Sequence, residues 1–184
     1  MKKAMIVFGL LCSMAVSAYA FDGASGIGTG GMKLELGYTG GAAGLQFDYG
    51  LSQDWTVFGV ISVASGFTGI GVGTKYAIFN EKKGDGFSLA PGLQLLIGSG
   101  GVIPVPGIVV SKRLNEKFTV LGDAWVWSAG FVNVSWLGGG VLYNINENLQ
   151  VGGQLGVNTT AVNFLGYRYA ASGAGFGIGL NYLF

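Results

Sequence analysis

The chain has 184 residues, of which 50% are hydrophobic, 36 are glycine and 10% carry charge, with a mean hydropathy of +0.52. That profile is too apolar and too glycine-rich for an ordinary soluble domain, so a membrane is the expected solvent. Histidine is absent and the single cysteine, Cys12, falls in the leader described next, which excludes disulfide, zinc and thiol chemistry from the mature chain.

Lys2 and Lys3 form a positive n-region, Ala4 to Val16 an apolar core, and Ala18-Tyr19-Ala20 an A-x-A cleavage site. Residues 1–20 therefore read as an export signal and 21–184 as one domain. Lipidation of Cys12 is disfavoured by Leu11 before it, where a lipoprotein signal has a small side chain. The apolar core also falls short of the roughly 20 residues that an anchor helix needs. Without Lys2 and Lys3 the mature chain carries eight basic and nine acidic residues, so neither nucleic acid nor an anionic surface is an expected partner.

Ten of those charges sit in four clusters: Asp54; Glu81, Lys82, Lys83 and Asp85; Lys112, Arg113, Glu116 and Lys117; and Glu147. Each cluster lies in turn chemistry such as Leu51-Ser52-Gln53-Asp54 or Asn146-Glu147-Asn148, which places four turns on one side of a membrane. The uncharged stretches between clusters are helix-length, but residues 87–110 hold five glycines and Pro91, Pro104 and Pro106. At about 1 kcal/mol per Gly and 3 per Pro, a helix there is penalised by roughly 14 kcal/mol. Each stretch is therefore a hairpin.

Strand alternation is explicit in Met32, Leu34, Leu36 and Tyr38 against Lys33, Glu35, Gly37 and Thr39, and in Leu149, Val151, Leu155 and Val157 against Gln150, Gly152, Gln154 and Gly156. The expected strands are about 31–39, 42–50, 55–64, 68–79, 86–97, 102–112, 118–127, 131–145, 149–158 and 172–184. Residues 55–64 and 131–145 lack a clean parity, and a bulge is expected near Gly138-Gly139-Gly140. Hydrocarbon offers no partners for backbone groups, so the strands must close: an all-β, transmembrane, up-and-down antiparallel barrel of ten strands. Eight strands are the alternative, because the connection at 40–41 is short.

Aromatic residues fall into two girdles. Tyr49, Trp55, Tyr76, Phe87, Phe118, Tyr143, Tyr182 and Phe184 lie near the charged turns, and Tyr38, Phe67, Trp127, Phe131, Tyr167 and Tyr169 near the other side. Lys33, Glu35, Asp48, Lys75 and Asp123 are the charges within strands, and with Gln94 they are the candidate lining of the interior. Facing lipid, a lysine at mid-depth costs about 2–4 kcal/mol, which the interior avoids. Two readings follow: an interior ion-pair network or the walls of a narrow water path. Inward glycines such as Gly71, Gly73 and Gly156 leave volume for Phe58, Gln94 or Trp125. Pro91, Pro104 and Pro106 remove ladder donors and read as local bulges, with a lateral weak point in the wall as the sharper alternative.

Gly26-Ile27-Gly28-Thr29-Gly30-Gly31 satisfies G-x-G-x-x-G, but no strand precedes it and no helix follows, so it is not a dinucleotide fingerprint. Glu35 and Asp48, on adjacent strands, are the carboxylates placed to meet; a structural role is favoured over acid–base chemistry. No cofactor, metal or catalytic function is expected.

The cleavable leader, the alternating strands, the girdles and the terminal pattern Phe176, Ile178, Leu180, Tyr182 and Phe184 resemble the outer-membrane β-barrel proteins of Gram-negative bacteria. The lipases, lipid A deacylases and aspartyl-type proteases of that class rely on a catalytic histidine, which this chain lacks. The resemblance implies that membrane as location, lipid bilayer as surroundings, and a final strand read by the barrel-assembly machinery. It also implies that the charged turns face the periplasm and the remaining connections the outside. The longest outer connection is expected at Thr159 to Ala171, offering Tyr167, Arg168 and Tyr169 to a partner. The expected activity is a narrow passive pore for small solutes or ions. The alternatives are a closed structural or surface-interaction barrel and a binder of small apolar molecules.

Overall fold

A computed structural model describes residues 23–39, 42–64, 67–98, 101–129, 132–164 and 167–184; the leader lies outside the described residues. Ten strands follow one another: β1 (Met32–Thr39), β2 (Ala42–Gly50), β3 (Trp55–Ala64), β4 (Phe67–Tyr76), β5 (Ser88–Gly98), β6 (Gly101–Arg113), β7 (Phe118–Ala129), β8 (Val132–Asn144), β9 (Leu149–Phe164) and β10 (Tyr167–Leu183). Each pairs antiparallel with its sequence neighbours, and β1 pairs with β10, so the sheet closes on itself. Closure satisfies the backbone without a free edge, as hydrocarbon requires. β1 and β2 form separate antiparallel strands with Thr39 opposite Ala42, which settles ten strands over eight.

Three local expectations are corrected. The outer connection at Thr159 to Ala171 is strand, not loop: β9 and β10 stay in register up to Phe164 opposite Tyr167. Tyr167, Arg168 and Tyr169 are therefore the first residues of β10, paired with Phe164, Asn163 and Val162. These strands, of 16 and 17 residues, exceed the 9–11 that cross a bilayer. Past the hydrocarbon both faces see the same medium, so alternation fades while β-branched Thr159, Thr160 and Val162 still favour strand.

No bulge interrupts Gly138 to Gly140, whose register is continuous with both neighbours. The described bulge lies beside Pro91 instead. Ile78 and Phe79 both donate to the Leu89 carbonyl, at 2.9 and 3.4 Å, and register moves from Lys75 opposite Gly92 to Phe79 opposite Leu89. Pro91 has no N–H for β4, and the ladder yields there.

Pro104 and Pro106 produce no bulge toward β5, staying opposite Leu95 and Leu93. Their missing donors fall on the β7 side, where the ladder begins only at Gly107 opposite Trp125.

The eight aromatics of the turn-side girdle are all exposed on the outer wall. Of the other girdle, Tyr38 is likewise exposed; the remaining side chains lie outside the described set. Inside, the turn half is polar, while Val105, Val109, Trp125, Val134 and Trp136 form an apolar cluster with Ala24, Ala77 and Ala90. Inward apolar side chains explain the unclear parity of β3 and β8. Phe58 and Val60, and Val134, Trp136 and Leu142, face inward but are apolar, so both faces of those strands are greasy.

Candidate functional site: the barrel interior and its turn-side mouth

The turn-side mouth is occupied by the chain's own residues 23–28. The Ala24 side chain is fully buried and its backbone N–H donates to Ser111 Oγ at 3.0 Å. Ser25 Oγ lies 2.7 Å from Ser88 Oγ. The Gly23 and Gly26 carbonyls accept from Lys75 Nζ at 2.8 Å and Lys82 Nζ at 2.7 Å. Backbone bonds Gly30 to Gly50 (2.8 Å) and Gly50 to Gly31 (2.9 Å) hook the segment onto the foot of β2.

This is the use of the glycine motif. Gly28 and Gly30 have φ of 97° and 76°, a left-handed conformation that side chains disfavour. A Cβ on Gly26 would overlap the Gln53 carbonyl, and one on Gly50 the Gly28 carbonyl.

Above the segment lies an ion-pair cluster. Lys33 Nζ pairs with Glu35 Oε1 and, at 3.0 Å, with Asp48 Oδ2; the three side chains are no more than 5% exposed. Asp48 Oδ1 also accepts from Gln46 Nε2 at 2.7 Å. Register sets the cluster: Lys33 is opposite Asp48, and Glu35 opposite Gln46. The pair Glu35 and Asp48 thus comes together with an ammonium between them.

Lys75 and Gln94 are buried on β4 and β5. On β7, Asp123 Oδ2 accepts from the indole N–H groups of Trp125 and Trp136, both at 3.0 Å. Among the described residues these two neutral donors are its hydrogen-bond partners. The rings lie flat on glycines: a Cβ on Gly107 would enter the Trp125 ring, and one on Gly156 the Trp136 ring. Phe58 covers Gly73 and Gln94 covers Gly71 in the same way.

Below, at the turn side, a cavity of about 750 Å³ is lined by Lys33, Lys82, Arg113 and Lys117 facing Glu81, Glu116 and Glu147. Partial loss of water, then the ammonium groups of Lys33 and Lys75, hold Lys82 below the ordinary lysine value. At the rim Lys83 pairs with Asp54. That bond, reinforced by Asn80, holds the Asp54 carboxyl below its ordinary value and Lys83 above its own. No group of three or more metal-ligating side chains is assembled among the described residues.

The candidate lining residues Lys33, Glu35, Asp48, Lys75, Gln94 and Asp123 all face the interior. The structure joins the first three directly and sets Asp123 apart with its two indoles. Sequence reasoning missed Gln46, Ser88, Ser111 and Trp136. Ser88 and Ser111 are polar residues on inward-facing positions; what hid their role was that their partner is the segment before β1. On the last strand Phe176, Ile178, Leu180, Tyr182 and Phe184 are exposed on the outer wall, and the Tyr182 and Phe184 rings meet edge-on at 4.9 Å.

No family model matches the chain, and no curated protein matches it by sequence. Its fold is similar to solved small barrels. The NanC porin aligns with a TM-score of 0.53 and 15% identity over 82% of this chain and 98% of that one. The KdgM porin aligns with a TM-score of 0.52 and 13% identity over 83% and 98%. The chain is thus a closed ten-stranded antiparallel β-barrel with the fold of small outer-membrane porins.

Proposed function

We propose that the chain, exported under a leader of residues 1–20, acts in the Gram-negative outer membrane as a narrow passive pore for small solutes or ions, with residues 23–28 as a stopper at its turn-side mouth. The observation that carries this reading is the interior itself. Lys33, Glu35, Asp48, Lys75 and Asp123 line it, and it leads to a charged cavity of about 750 Å³. A wall built for rigidity alone is served by apolar filling, because buried charges cost desolvation that pairing only partly returns.

The porin fold supports the reading, and one of the similar barrels, the KdgM porin, has been solved in complex with disordered oligogalacturonate. Here the interior charges favour small cations. Lys33 and Lys75 stand against Glu35, Asp48 and Asp123, one more negative charge than positive, and Asp123 lies against two neutral indoles.

The test is conductance of the folded mature protein in planar bilayers, with and without residues 23–28. Deletion is expected to raise the unit conductance. In the deleted form, Asp123→Asn is expected to move the reversal potential in a salt gradient toward anion preference. Silence of the folded, deleted form would overturn the pore and leave a closed barrel.

A further inference from the structure

β10 outruns the strand beside it. β1 ends at Thr39, opposite Gly177, whereas β10 continues to Tyr167 in unbroken register with β9. β1 and β2 cannot follow it, because Thr39 stands opposite Ala42 with two residues of chain between them. From Gly175 to Tyr167, β10 therefore has β9 on one side and, among the described residues, no strand on the other. This overhang starts above Tyr38 of the far girdle, which is opposite Ile178, and so rises out of the hydrocarbon. Parity fixes which backbone groups are left over. The Phe184 N–H donates to the Met32 carbonyl at 3.0 Å and the Leu183 N–H to the Asn148 carbonyl at 2.8 Å, so even-numbered residues of β10 turn their backbone groups toward β1. On the overhang, Arg168, Ala170, Ser172 and Ala174 thus present N–H and carbonyl groups to an open edge, repeating about every 7 Å.

The usual protections of a strand edge are missing here: residues 169–176 hold no proline and no charged residue, and no bulge interrupts the register with β9. Ala170, Ser172, Gly173 and Ala174 are exposed. A row of alternating backbone donors and acceptors is satisfied by another extended backbone. We propose that the overhang takes up an extended segment of a different protein, running antiparallel to β10 and continuing the line of the β1–β10 ladder. The small side chains of Ala170, Ser172 and Ala174 leave room for β-branched or aromatic residues opposite them. Two nearer occupants are excluded by geometry. Within this chain, residues 23–28 are held at the opposite mouth, and strands joined on the overhang's side are two residues apart at each connection. A second copy in the same membrane is related by an axis along the membrane normal. Both β10 strands then rise and cross at twice the strand tilt, roughly 80°, which forms no ladder. Docking at this edge does not depend on conduction by the interior.

The probe is a capped peptide of about nine residues alternating threonine with valine or tyrosine, residue types that favour strand. Methylation of its alternate amides leaves it one pairing edge and keeps it from stacking on itself. Added to the folded mature protein in detergent, it is expected to bind saturably, one per barrel, and to slow amide exchange at residues 168–174 of β10. The same peptide methylated at every amide keeps its side chains and is expected not to bind. Ser172→Pro removes one edge donor without touching a bond to β9, and is expected to weaken binding roughly fivefold, the worth of one hydrogen bond; Ser172→Ala should leave binding unchanged. Absence of saturable binding, equal binding of the fully methylated peptide, or protection elsewhere than 168–174 would each overturn the proposal. So would self-association of the parent that Ser172→Pro dissolves, which would give the edge to a second copy. Heat-dependent mobility in SDS gels confirms that each variant is folded, and the two peptides make the test on the parent alone.

Discussion

Gly107 and Gly156 are glycine because an indole lies on each of them. In Gly107→Ala the new Cβ enters the Trp125 ring, so the ring must tilt away from Asp123. Overpacking of this kind costs about 1–3 kcal/mol. A lower urea midpoint is expected, whereas Gly59→Ala, which meets nothing within 4 Å, should leave it close to the parent's. Parity alone made Phe58, Gln94 and Trp125 legible as the groups above inward glycines. Trp136 was not legible, because nothing in the alternation of β8 tells its inner face from its outer. At the rim, Asp54 and Lys83 link stability to pH with opposite signs. The lowered carboxyl stabilises the fold above the ordinary carboxylate range and loses that contribution as pH falls through its own value. The raised ammonium contributes below the ordinary lysine value and loses its share as pH rises through its own. Asp54→Asn should therefore lower the urea midpoint at neutral pH and have no effect in acid well below the carboxylate range. Exposed pairs of this kind are small contributors.

Strands are legible where their two faces differ in chemistry. β1 and β10 set charged, polar or small residues against lipid-facing ones, and their alternation shows at once. β3 and β8 bury Phe58, Val60, Val134 and Trp136 on the inner face, so the same physics leaves no contrast to detect. The prolines were read correctly as lost donors, but their direction needed the ladder: Pro91 loses its donor toward β4, Pro104 and Pro106 toward β7. The β6–β7 seam is thereby short of two backbone hydrogen bonds. Pro106→Thr supplies one, and a net gain of about 1 kcal/mol is expected. It should appear as a higher urea midpoint or as slower unfolding in SDS; a change in the opposite direction would mean that the seam is held by something other than its missing donor.

At the scale of the whole barrel, one constraint made the fold readable from composition: a chain in hydrocarbon must satisfy its backbone internally, and so many glycines and prolines leave only strands to do it. The interior was less readable, because its character changes along the axis. One part is organised around Lys33 and another around Trp125 and Trp136, a division created by register between strands distant in sequence. For the same reason the sign of selectivity of the proposed pore would be a property of the assembled ring. It depends on Asp123 standing apart from Lys33, which no single segment displays, and the reversal potential of Asp123→Asn measures that separation.

The seat of residues 23–28 is built from Lys75, Ser88 and Ser111, three different strands in the middle of the chain. The tail that fills it continues directly into β1, which must still find β10. Chronology follows from this topology: the tail has nowhere to dock until β4, β5 and β6 stand side by side. Its insertion is therefore expected to come late in folding, and a fluorophore at Ser25 should report a slower phase than one on the central hairpins.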